Sequence, residues 1–240
     1  MPSRVGLTPP FFEVGPKAYM YGPELLRLAL RADALSEQYG VQIIITPADV
    51  DISAVAQNVK RVLVFAQHMD LLRPGRGIGS ALPEALRTAG AVGVLLNHSE
   101  CPLPARQLGE AVSRAHDLDL ATLVCANDVA GATAIARLGP DALIVEEPAL
   151  IGTGTPGGDR GSRIPEIDSR IWRVDPGIRV LHAAGIGGPA DVYDVIAAGA
   201  QGTGSSSAIF TAADPQRMLH DMIAATREAW DARHQREETA

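Results

Sequence analysis

The chain has 240 residues, of which 46% are hydrophobic and 20% charged, and its net charge is −7. This composition is typical of a folded globular protein and excludes a disordered chain. The negative charge, without clustered Lys and Arg, argues against a nucleic-acid-binding protein. No apolar run approaches the ~18 residues of a membrane span, and residues 1–8 lack an apolar signal core. We therefore expect a soluble, cytoplasmic protein with neither a membrane nor a nucleic acid as partner.

Short apolar, β-rich runs alternate along the chain with amphipathic segments. The predicted strands comprise residues 11–14, 42–45, 62–65, 93–96, 122–125, 142–145, 179–183 and 202–206. The predicted helices comprise residues 23–38, 82–88, 105–116, 129–137, 189–198 and 214–233. No linker or change of composition divides the chain, so residues 1–240 are predicted to form a single-domain (β/α)8 barrel with a charged, frayed tail at 232–240. A dinucleotide-binding sheet is disfavoured, because the turn after the first strand, Gly15-Pro16-Lys17, is not a nucleotide fingerprint.

Two candidate functional residues follow the first and fourth strands, at the barrel end where catalytic residues collect. Lys17 is one of only two lysines in the chain and offers a cation for a phosphate or an oxyanion. His98 could, as a neutral imidazole, donate a hydrogen bond to a carbonyl oxygen. A solvated loop lysine and a structural histidine are the alternatives for these residues.

The sixth strand ends in two adjacent carboxylates, Glu146 and Glu147. Because neighbouring strand residues point to opposite faces, only one of them can face the barrel mouth. That carboxylate could act as a general base if burial raised its pKa. The Gly152-Thr153-Gly154 turn could then place backbone amides against an anion, as a proton-abstracting enzyme with a phosphorylated substrate requires. The alternative is a pair of solvated loop acids.

Glycine- and serine-rich loops follow the last two strands. Residues 184–188 lead to Pro189, which opens a helix, and Gly204 leads into Ser205-Ser206-Ser207. In (β/α)8 barrels these two loops and a helix N-terminus commonly bind phosphate, and glycine lets backbone amides approach an anion closely. The two loops together therefore indicate a phosphate site.

Two further features carry less information. The loop at 73–79 contains three glycines and two arginines, which suits a phosphate cradle, a subunit contact or a plain surface loop equally well. Cys101 and Cys125 lack the spacing of a zinc site or a disulfide framework. For that reason we expect no metal to be bound and both thiols to be inert. Cys125, at the end of the fifth strand, also has no local base to activate it as a nucleophile.

The order of these features resembles the triosephosphate isomerase family, and in particular its short, archaeal-type branch. The likeness spans about residues 10–225 and is most specific at the fourth and sixth strands. The segments that carry it are Ala66-Gln67-His68, Leu82-Pro83-Glu84-Ala85, Leu95-Leu96-Asn97-His98-Ser99-Glu100 and Leu150-Ile151-Gly152-Thr153-Gly154.

The resemblance implies an aldose–ketose isomerase that converts glyceraldehyde 3-phosphate to dihydroxyacetone phosphate, a reaction of glycolysis and gluconeogenesis. Glu146 would be the base that moves a proton between adjacent substrate carbons, because it stands six residues before Gly152 as the family motif requires. His98 would polarise the carbonyl oxygen, and Lys17 would stabilise the developing negative charge. No metal or cofactor is implied.

The resemblance also implies a phosphate site, a lid and an oligomer. Backbone amides of Gly152, Gly187, Ser206 and Ser207 would hold the substrate phosphate. Residues 147–153 would form a lid that closes over it. The protein would be a homodimer or a homotetramer.

The chain departs from the family pattern at several positions. Gly15 replaces an Asn and Ile78 replaces a Thr, two positions that meet beside the lysine across the family's subunit interface. Glu147 stands where the family has Pro, which moves to Pro148, and residues 203–205 interrupt an expected apolar run. We expect the loss of bulk to open the barrel mouth to a larger substrate, with neutral drift compensated elsewhere as the alternative. Gly15, Ile78 and Gly204 favour, as a second reading, an isomerase of a related short phosphorylated ketose such as a tetrulose phosphate. The missing neighbours of Lys17 favour, as a third, a non-catalytic phosphometabolite-binding barrel.

Overall fold

Eight parallel strands form a closed barrel in the computed structural model, which describes residues 5–146, 160–183 and 185–239. The strands follow the chain order around the barrel, and β1 closes it by pairing with both β2 and β8. They are β1 Phe11–Val14, β2 Gln42–Ile45, β3 Leu63–Ala66, β4 Gly93–Leu96, β5 Ala121–Ala126, β6 Ala142–Val145, β7 Arg179–His182 and β8 Gly202–Ser205. The predicted (β/α)8 barrel is therefore confirmed.

The helices of the described residues surround this barrel. They are α1 Gly22–Tyr39, α2 Asp49–Ala56, α3 Pro83–Ala89, α4 Ala105–Asp117, α5 Val129–Ala136, α6 Arg160–Trp172, α7 Pro189–Ala197, α8 Ser207–Phe210 and α9 Pro215–Thr239. Their apolar faces pack against the outward side chains of the strands and form the larger hydrophobic core. In α1, for example, Leu25, Leu28, Ala29 and Ala32 are buried at the spacing that places them on one helical face.

Three helices were not predicted from the sequence. Helix α2 has only eight residues and contains three β-branched side chains, which lower helix propensity. Helix α6 contains Pro165, which reads as a helix breaker, although Ile164, Ile167 and Ile171 are buried at helical spacing. Helix α8 is a single turn of four residues.

Helix α9 continues to Thr239, through most of the tail at 232–240 that was predicted to be frayed. Arg233 Nη1 donates hydrogen bonds of 3.2 Å to the carbonyl oxygens of Ile196 and Ala200, which join α9 to the end of α7. The Arg233 guanidinium also lies 4.5 Å from the centre of the Trp230 ring. These long-range contacts hold a segment that its charged composition alone would leave unpartnered.

A second hydrophobic cluster fills the interior of the barrel and closes its floor. Alternate strand residues point inward, and the rings of Phe11 and Phe65 occupy the centre. A Cβ atom at Gly202 would lie 2.7 Å from the carbonyl oxygen of Phe11, and one at Gly93 would lie 2.4 Å from the Phe65 ring. Glycine in β4 and β8 is therefore a packing requirement of the two phenylalanines.

A polar network joins the amino-terminal ends of β5 and β6. Asp141 Oδ2 accepts hydrogen bonds from the Thr122 amide (2.8 Å) and hydroxyl (2.9 Å) and lies 3.0 Å from His116 Nε2. Burial would raise the pKa of Asp141, but these hydrogen bonds and the nearby imidazole lower it to about 2. The carboxylate thus ties α4 to two strands on the face that in such barrels supports stability.

Candidate active site

Lys17 lies directly above β1 in an unusual backbone conformation, with a φ of 46°. A non-glycine residue in this left-handed region carries strain that surrounding contacts must hold. Gln67 supplies one such contact, because its Nε2 donates to the carbonyl oxygens of Lys17 (3.3 Å) and Thr46 (2.8 Å). The Lys17 ammonium reaches the cavity and forms a 2.5 Å ion pair with Glu100.

Asn97 fixes the turn after β4 that carries His98. Its φ is 60°, a conformation that Asn tolerates better than most residues. Asn97 Nδ2 donates to the carbonyl oxygen of Cys125 (2.9 Å), and its Oδ1 accepts from the amide of Leu103 (3.0 Å). The side chain thereby locks the turn to both β5 and the following loop.

The His98 imidazole is a neutral hydrogen-bond donor. Its Nδ1 accepts from the Glu100 amide at 3.1 Å, so the ring proton resides on Nε2. Burial lowers the pKa of His98, the charge of Lys17 lowers it further, and Glu100 opposes this effect. The ring therefore offers an Nε2–H group to the cavity at neutral pH.

Glu100 is a site residue to which the sequence analysis gave no role. Its hydrogen bond from Lys17 lowers the pKa of this exposed carboxylate and keeps it charged. Its amide orients His98 and its carboxylate anchors Lys17, so one residue positions both groups. The signal was present in the segment Asn97-His98-Ser99-Glu100, which contains one carboxylate next to the candidate histidine.

Glu146 follows β6 on the inward side, two residues beyond Ile144 of the barrel interior. Its amide donates to the carbonyl oxygen of Ala126 at 2.9 Å, which continues the β5–β6 pairing by one residue. Burial raises the pKa of Glu146 to about 7, while the Lys17 charge lowers it and the Glu100 charge raises it. The carboxylate is therefore suited to accept and return a proton near neutral pH. Glu147 lies outside the described residues.

One cavity of about 820 Å³ at the carboxyl ends of the strands unites the predicted catalytic residues. Lys17, His98 and Glu146 line it, together with Ser206 and Ser207. The structure thus brings together residues from four separate strand ends, as the barrel topology requires. Gly152 and the predicted lid at 147–153 lie outside the described residues.

The amide of Gly187, a predicted phosphate-binding residue, is engaged by a neighbouring side chain in the structure. The Gly187 amide donates to Asp191 Oδ2 at 2.8 Å, because Asp191 in the first turn of α7 supplies a carboxylate to the free amides at the helix start. Among the described residues of this loop, Gly185 and Ile186 line the cavity and Gly187 does not. Gly185 adopts a φ of 74°, which glycine adopts readily.

Ser206 and Ser207 lie at the start of α8, where a helix leaves its first amides without intrahelical acceptors. The Ser206 hydroxyl donates to the carbonyl oxygen of Gly15 at 2.6 Å and joins the ends of β8 and β1. The hydroxyl is thus occupied in the structure, which leaves the backbone amides as the groups suited to an anion.

The barrel mouth is not opened by Gly15 and Gly204, contrary to the expectation from the sequence. Glu13, on the inward face of β1, occupies this space. A Cβ atom at Gly15 would lie 3.1 Å from Glu13 Oε1, and one at Gly204 would lie 3.1 Å from Glu13 Oε2. Sequence reasoning missed Glu13, although a single carboxylate in the apolar run Phe11-Phe12-Glu13-Val14 was a visible signal.

The remaining candidates lie apart from the catalytic centre or lack an activating partner. The loop at 73–79 is exposed, none of its residues lines the cavity, and Ile78 is fully exposed. Burial raises the pKa of the Cys125 thiol inside the barrel, which suits packing rather than nucleophilic attack. Within the described ranges, we find neither a group of three or more metal-ligating side chains nor a helix long and apolar enough to cross a membrane.

Comparison with known proteins gives a consistent assignment. The family model for triosephosphate isomerase matches residues 17–157. Triosephosphate isomerase from Methanobacterium bryantii is 37% identical over 204 residues, which cover 84% of this chain and 89% of the relative. The enzymes of Sulfurisphaera tokodaii and Methanothermus fervidus are each 36% identical, over 90% and 84% of this chain and 95% and 91% of their own lengths. With a matching family model and relatives that are 36–37% identical over 84–90% of its length, the chain belongs to the triosephosphate isomerase family.

Proposed function

We propose that this protein interconverts glyceraldehyde 3-phosphate and dihydroxyacetone phosphate. The observation that carries the proposal is a carboxylate with a pKa near 7, Glu146, which shares one cavity with a neutral imidazole and an ammonium group. This set is suited to moving a proton between two carbons beside a carbonyl. The names of the relatives point to the same reaction.

In the proposed reaction, ionised Glu146 takes a proton from the carbon beside the substrate carbonyl. The C–H electron pair forms the carbon–carbon double bond of an enediolate, and negative charge develops on the former carbonyl oxygen. His98 Nε2–H and the Lys17 ammonium stabilise that oxygen. His98 Nε2 passes its proton to that oxygen and takes the proton of the neighbouring hydroxyl, which becomes the new carbonyl. Protonated Glu146 delivers its proton to the former carbonyl carbon, so the reaction is redox-neutral and His98 ends with its proton restored.

The substrate phosphate is assigned to the loops after β7 and β8. The amides of Ser206 and Ser207 at the start of α8 and the amide of Gly185 support this assignment, because all three residues line the cavity. Gly152 remains the fourth member of the proposed site through its family motif. Gly185 replaces Gly187, whose amide is bound to Asp191.

The deciding experiment is steady-state isomerisation of glyceraldehyde 3-phosphate by the wild type and by Glu146→Gln. We expect the substitution to lower kcat by about 1,000-fold, because it removes the general base while leaving the phosphate site intact. Glu147→Gln is the matched control and should retain activity. Negligible turnover by a folded wild type, or a greater loss in Glu147→Gln than in Glu146→Gln, would contradict the proposal, and inhibition by EDTA would contradict its metal-free mechanism.

We further propose that the protein is a homo-oligomer, a dimer or a tetramer, assembled through the loops after β1, β2 and β3. Five large apolar side chains are exposed on these loops and at the start of α2: Tyr19, Tyr21, Val50, Leu71 and Ile78. Such a concentration of exposed apolar surface is typical of an interaction surface. Light scattering of Ile78→Asp should show a shift towards monomer, whereas Leu138→Asp, on another exposed face, should not.

A further inference from the structure

Glu13 is a buried carboxyl group for which the proposed reaction has no assigned role. It stands two residues beyond Phe11 on the inward face of β1, is only 8% exposed and lines the substrate cavity. Thr46 Oγ1 donates to Glu13 Oε1 at 2.9 Å. Glu13 Oε2 has no hydrogen bond to any residue that the structure describes. One carboxyl oxygen is therefore held by the barrel wall, and the other is left for an occupant of the cavity.

Two glycines on neighbouring strand ends create the space for this carboxyl group. A Cβ atom at Gly204 would lie 2.9 Å from the Glu13 carbonyl oxygen and 3.1 Å from Oε2, and one at Gly15 would approach Oε1 to 3.1 Å. A side chain at Gly204 would clash with the Glu13 backbone, and one at Gly15 would press against the Glu13 carboxyl group. The Glu13 carboxyl thus stands beside the position where the family carries the amide side chain of an Asn, here Gly15.

The groups that face Glu13 determine its protonation. These are Lys17 from the loop after β1, Glu146 from β6 and Cys125 from β5. Burial raises the pKa of Glu13 to about 8; the hydrogen bond from Thr46 lowers it, the Glu146 charge raises it and the Lys17 charge lowers it. Glu13 therefore holds a proton at neutral pH. Because Thr46 donates to Oε1, that proton resides on Oε2, which makes Oε2–H a hydrogen-bond donor.

We propose that Glu13 is a substrate-binding residue of this site, whose Oε2–H donates a hydrogen bond to an oxygen on the carbon chain of the sugar phosphate. A protonated carboxyl is a neutral donor, as an amide side chain is, and it can face a phosphorylated substrate without the repulsion that a carboxylate would cause. The assignment rests on the proposed isomerase function and adds a specificity residue to it.

The test compares Glu13→Gln, which keeps a neutral donor, with Glu13→Leu, which keeps the volume and removes it. We expect Glu13→Leu to lose about 100-fold in kcat/KM, the typical effect of removing one preorganised donor. We expect kcat/KM of Glu13→Gln to stay within about 5-fold of the wild-type value at pH 7, because the amide replaces one neutral hydrogen-bond donor by another and such bonds differ little in strength. Glu37→Gln, an exposed carboxylate on α1, is the matched control.

A pH profile separates substrate binding from a merely structural role. Above about pH 7, the wild type should lose kcat/KM, mainly through a rise in KM, as Glu13 ionises near pH 8. In Glu13→Gln this alkaline loss should disappear, while the acid limb that belongs to Glu146 stays. Binding of inorganic phosphate, which probes the phosphate loops alone, should be the same in the wild type and both Glu13 variants.

Three results would overturn the assignment. The first is a folded Glu13→Leu protein with wild-type kcat/KM, and the second is a Glu13→Gln protein as impaired as Glu13→Leu. The third comes from infrared difference spectra, which require no turnover. The wild type should show a protonated-carboxyl band that Glu13→Gln lacks and that shifts when glyceraldehyde 3-phosphate binds; a band that does not shift is the third result. If the wild type binds this compound without isomerising it, the isomerase proposal fails, whereas an unshifted band on binding overturns the assignment of Glu13 alone.

Discussion

The two ends of the barrel treat a buried carboxyl group in opposite ways. At the amino-terminal end, Asp141 receives hydrogen bonds from Thr122 and contacts His116, and these interactions lower its pKa to about 2. At the carboxyl end, Glu13 and Glu146 receive few hydrogen bonds from the part of the chain that the structure describes, and burial raises their pKa values to about 8 and about 7. All three groups belong to one barrel and lie on or beside its strands.

The difference shows how one scaffold separates stability from chemistry. A carboxylate whose hydrogen bonds are all made holds its surroundings together and has little tendency to take up a proton. A carboxyl group that is buried with few partners can exchange a proton at neutral pH, but it destabilises the fold whenever it is charged. The sign of the pKa shift thus distinguishes the stabilising end of this barrel from its reactive end.

The largest effect should follow from removing the cation that lowers the pKa of both glutamates. In Lys17→Met, we expect kcat/KM to fall by about 1,000-fold, because the charge developing in the transition state loses its ammonium partner. The acid limb of the pH profile should also move to higher pH, since Lys17 lowers the pKa of Glu146. Lys60→Met, at an exposed position, is the control. An unshifted acid limb would show that Lys17 and Glu146 do not interact.

The next largest effect concerns the protonation of the base. Glu146 must be ionised to act, so kcat/KM of the wild type should fall by about tenfold for each pH unit below about 7. An ordinary surface glutamate, with a pKa of 4.5, would give a constant rate down to about pH 5. Steady-state kinetics across this range distinguish the two cases.

The smallest effect should come from the stabilising end. Asp141→Asn should leave kcat/KM unchanged and lower the free energy of unfolding by about 1–3 kcal/mol, the usual range for a lost hydrogen bond to a charged group. Because the folded pKa of Asp141 lies below its ordinary value of 3.8, its contribution is present above pH 3.8 and is lost as the pH falls through about 2.

Urea denaturation at pH 7 and in acid measures this contribution. The difference between wild type and Asp141→Asn should shrink as the pH falls through that window. For Glu13→Gln, the wild type should lose stability relative to the variant as the pH rises, not as it falls. The reason is that a raised pKa of Glu13 in the folded state makes the wild type less stable as the pH rises from 4.5 through about 8. If the difference in free energy of unfolding from the wild type changed with pH in the same direction for both variants, the distinction between the two ends of the barrel would be wrong.

The strands, and the places of the proposed catalytic residues at strand ends, were predictable because their signals are local. The apolar runs of β1, β2, β4 and β6 have the predicted bounds, since a buried parallel strand is apolar on both faces. The positions of Lys17, His98 and Glu146 follow from where those strands end. Helix α6 could not be predicted in the same way, because Pro165 outweighs its helical spacing when packing is unknown.

Glu13 could not be assigned from local sequence because its role depends on distant partners. Its space is created by Gly204 of β8 and its hydrogen bond comes from Thr46 after β2, and only barrel closure brings these residues together. The same holds for Gly187, whose glycine-rich surroundings indicate phosphate binding until Asp191 is seen to take its amide. In the sequence, Gly15 and Gly204 indicate a loss of side-chain volume. In the folded protein, the Glu13 side chain lies in the space beside them.

The closed floor of the barrel has a consequence for the fate of the transferred hydrogen. Phe11 and Phe65, fitted against Gly202 and Gly93, are fully buried below the site. As far as the described residues show, water reaches Glu146 through the cavity at the mouth, which is also where we expect the substrate to bind. In the proposed reaction, a deuterium carried by Glu146 exchanges with water by the route through which the product leaves. An occupied mouth therefore slows the exchange, and the deuterium retained in the product measures how long the mouth stays occupied.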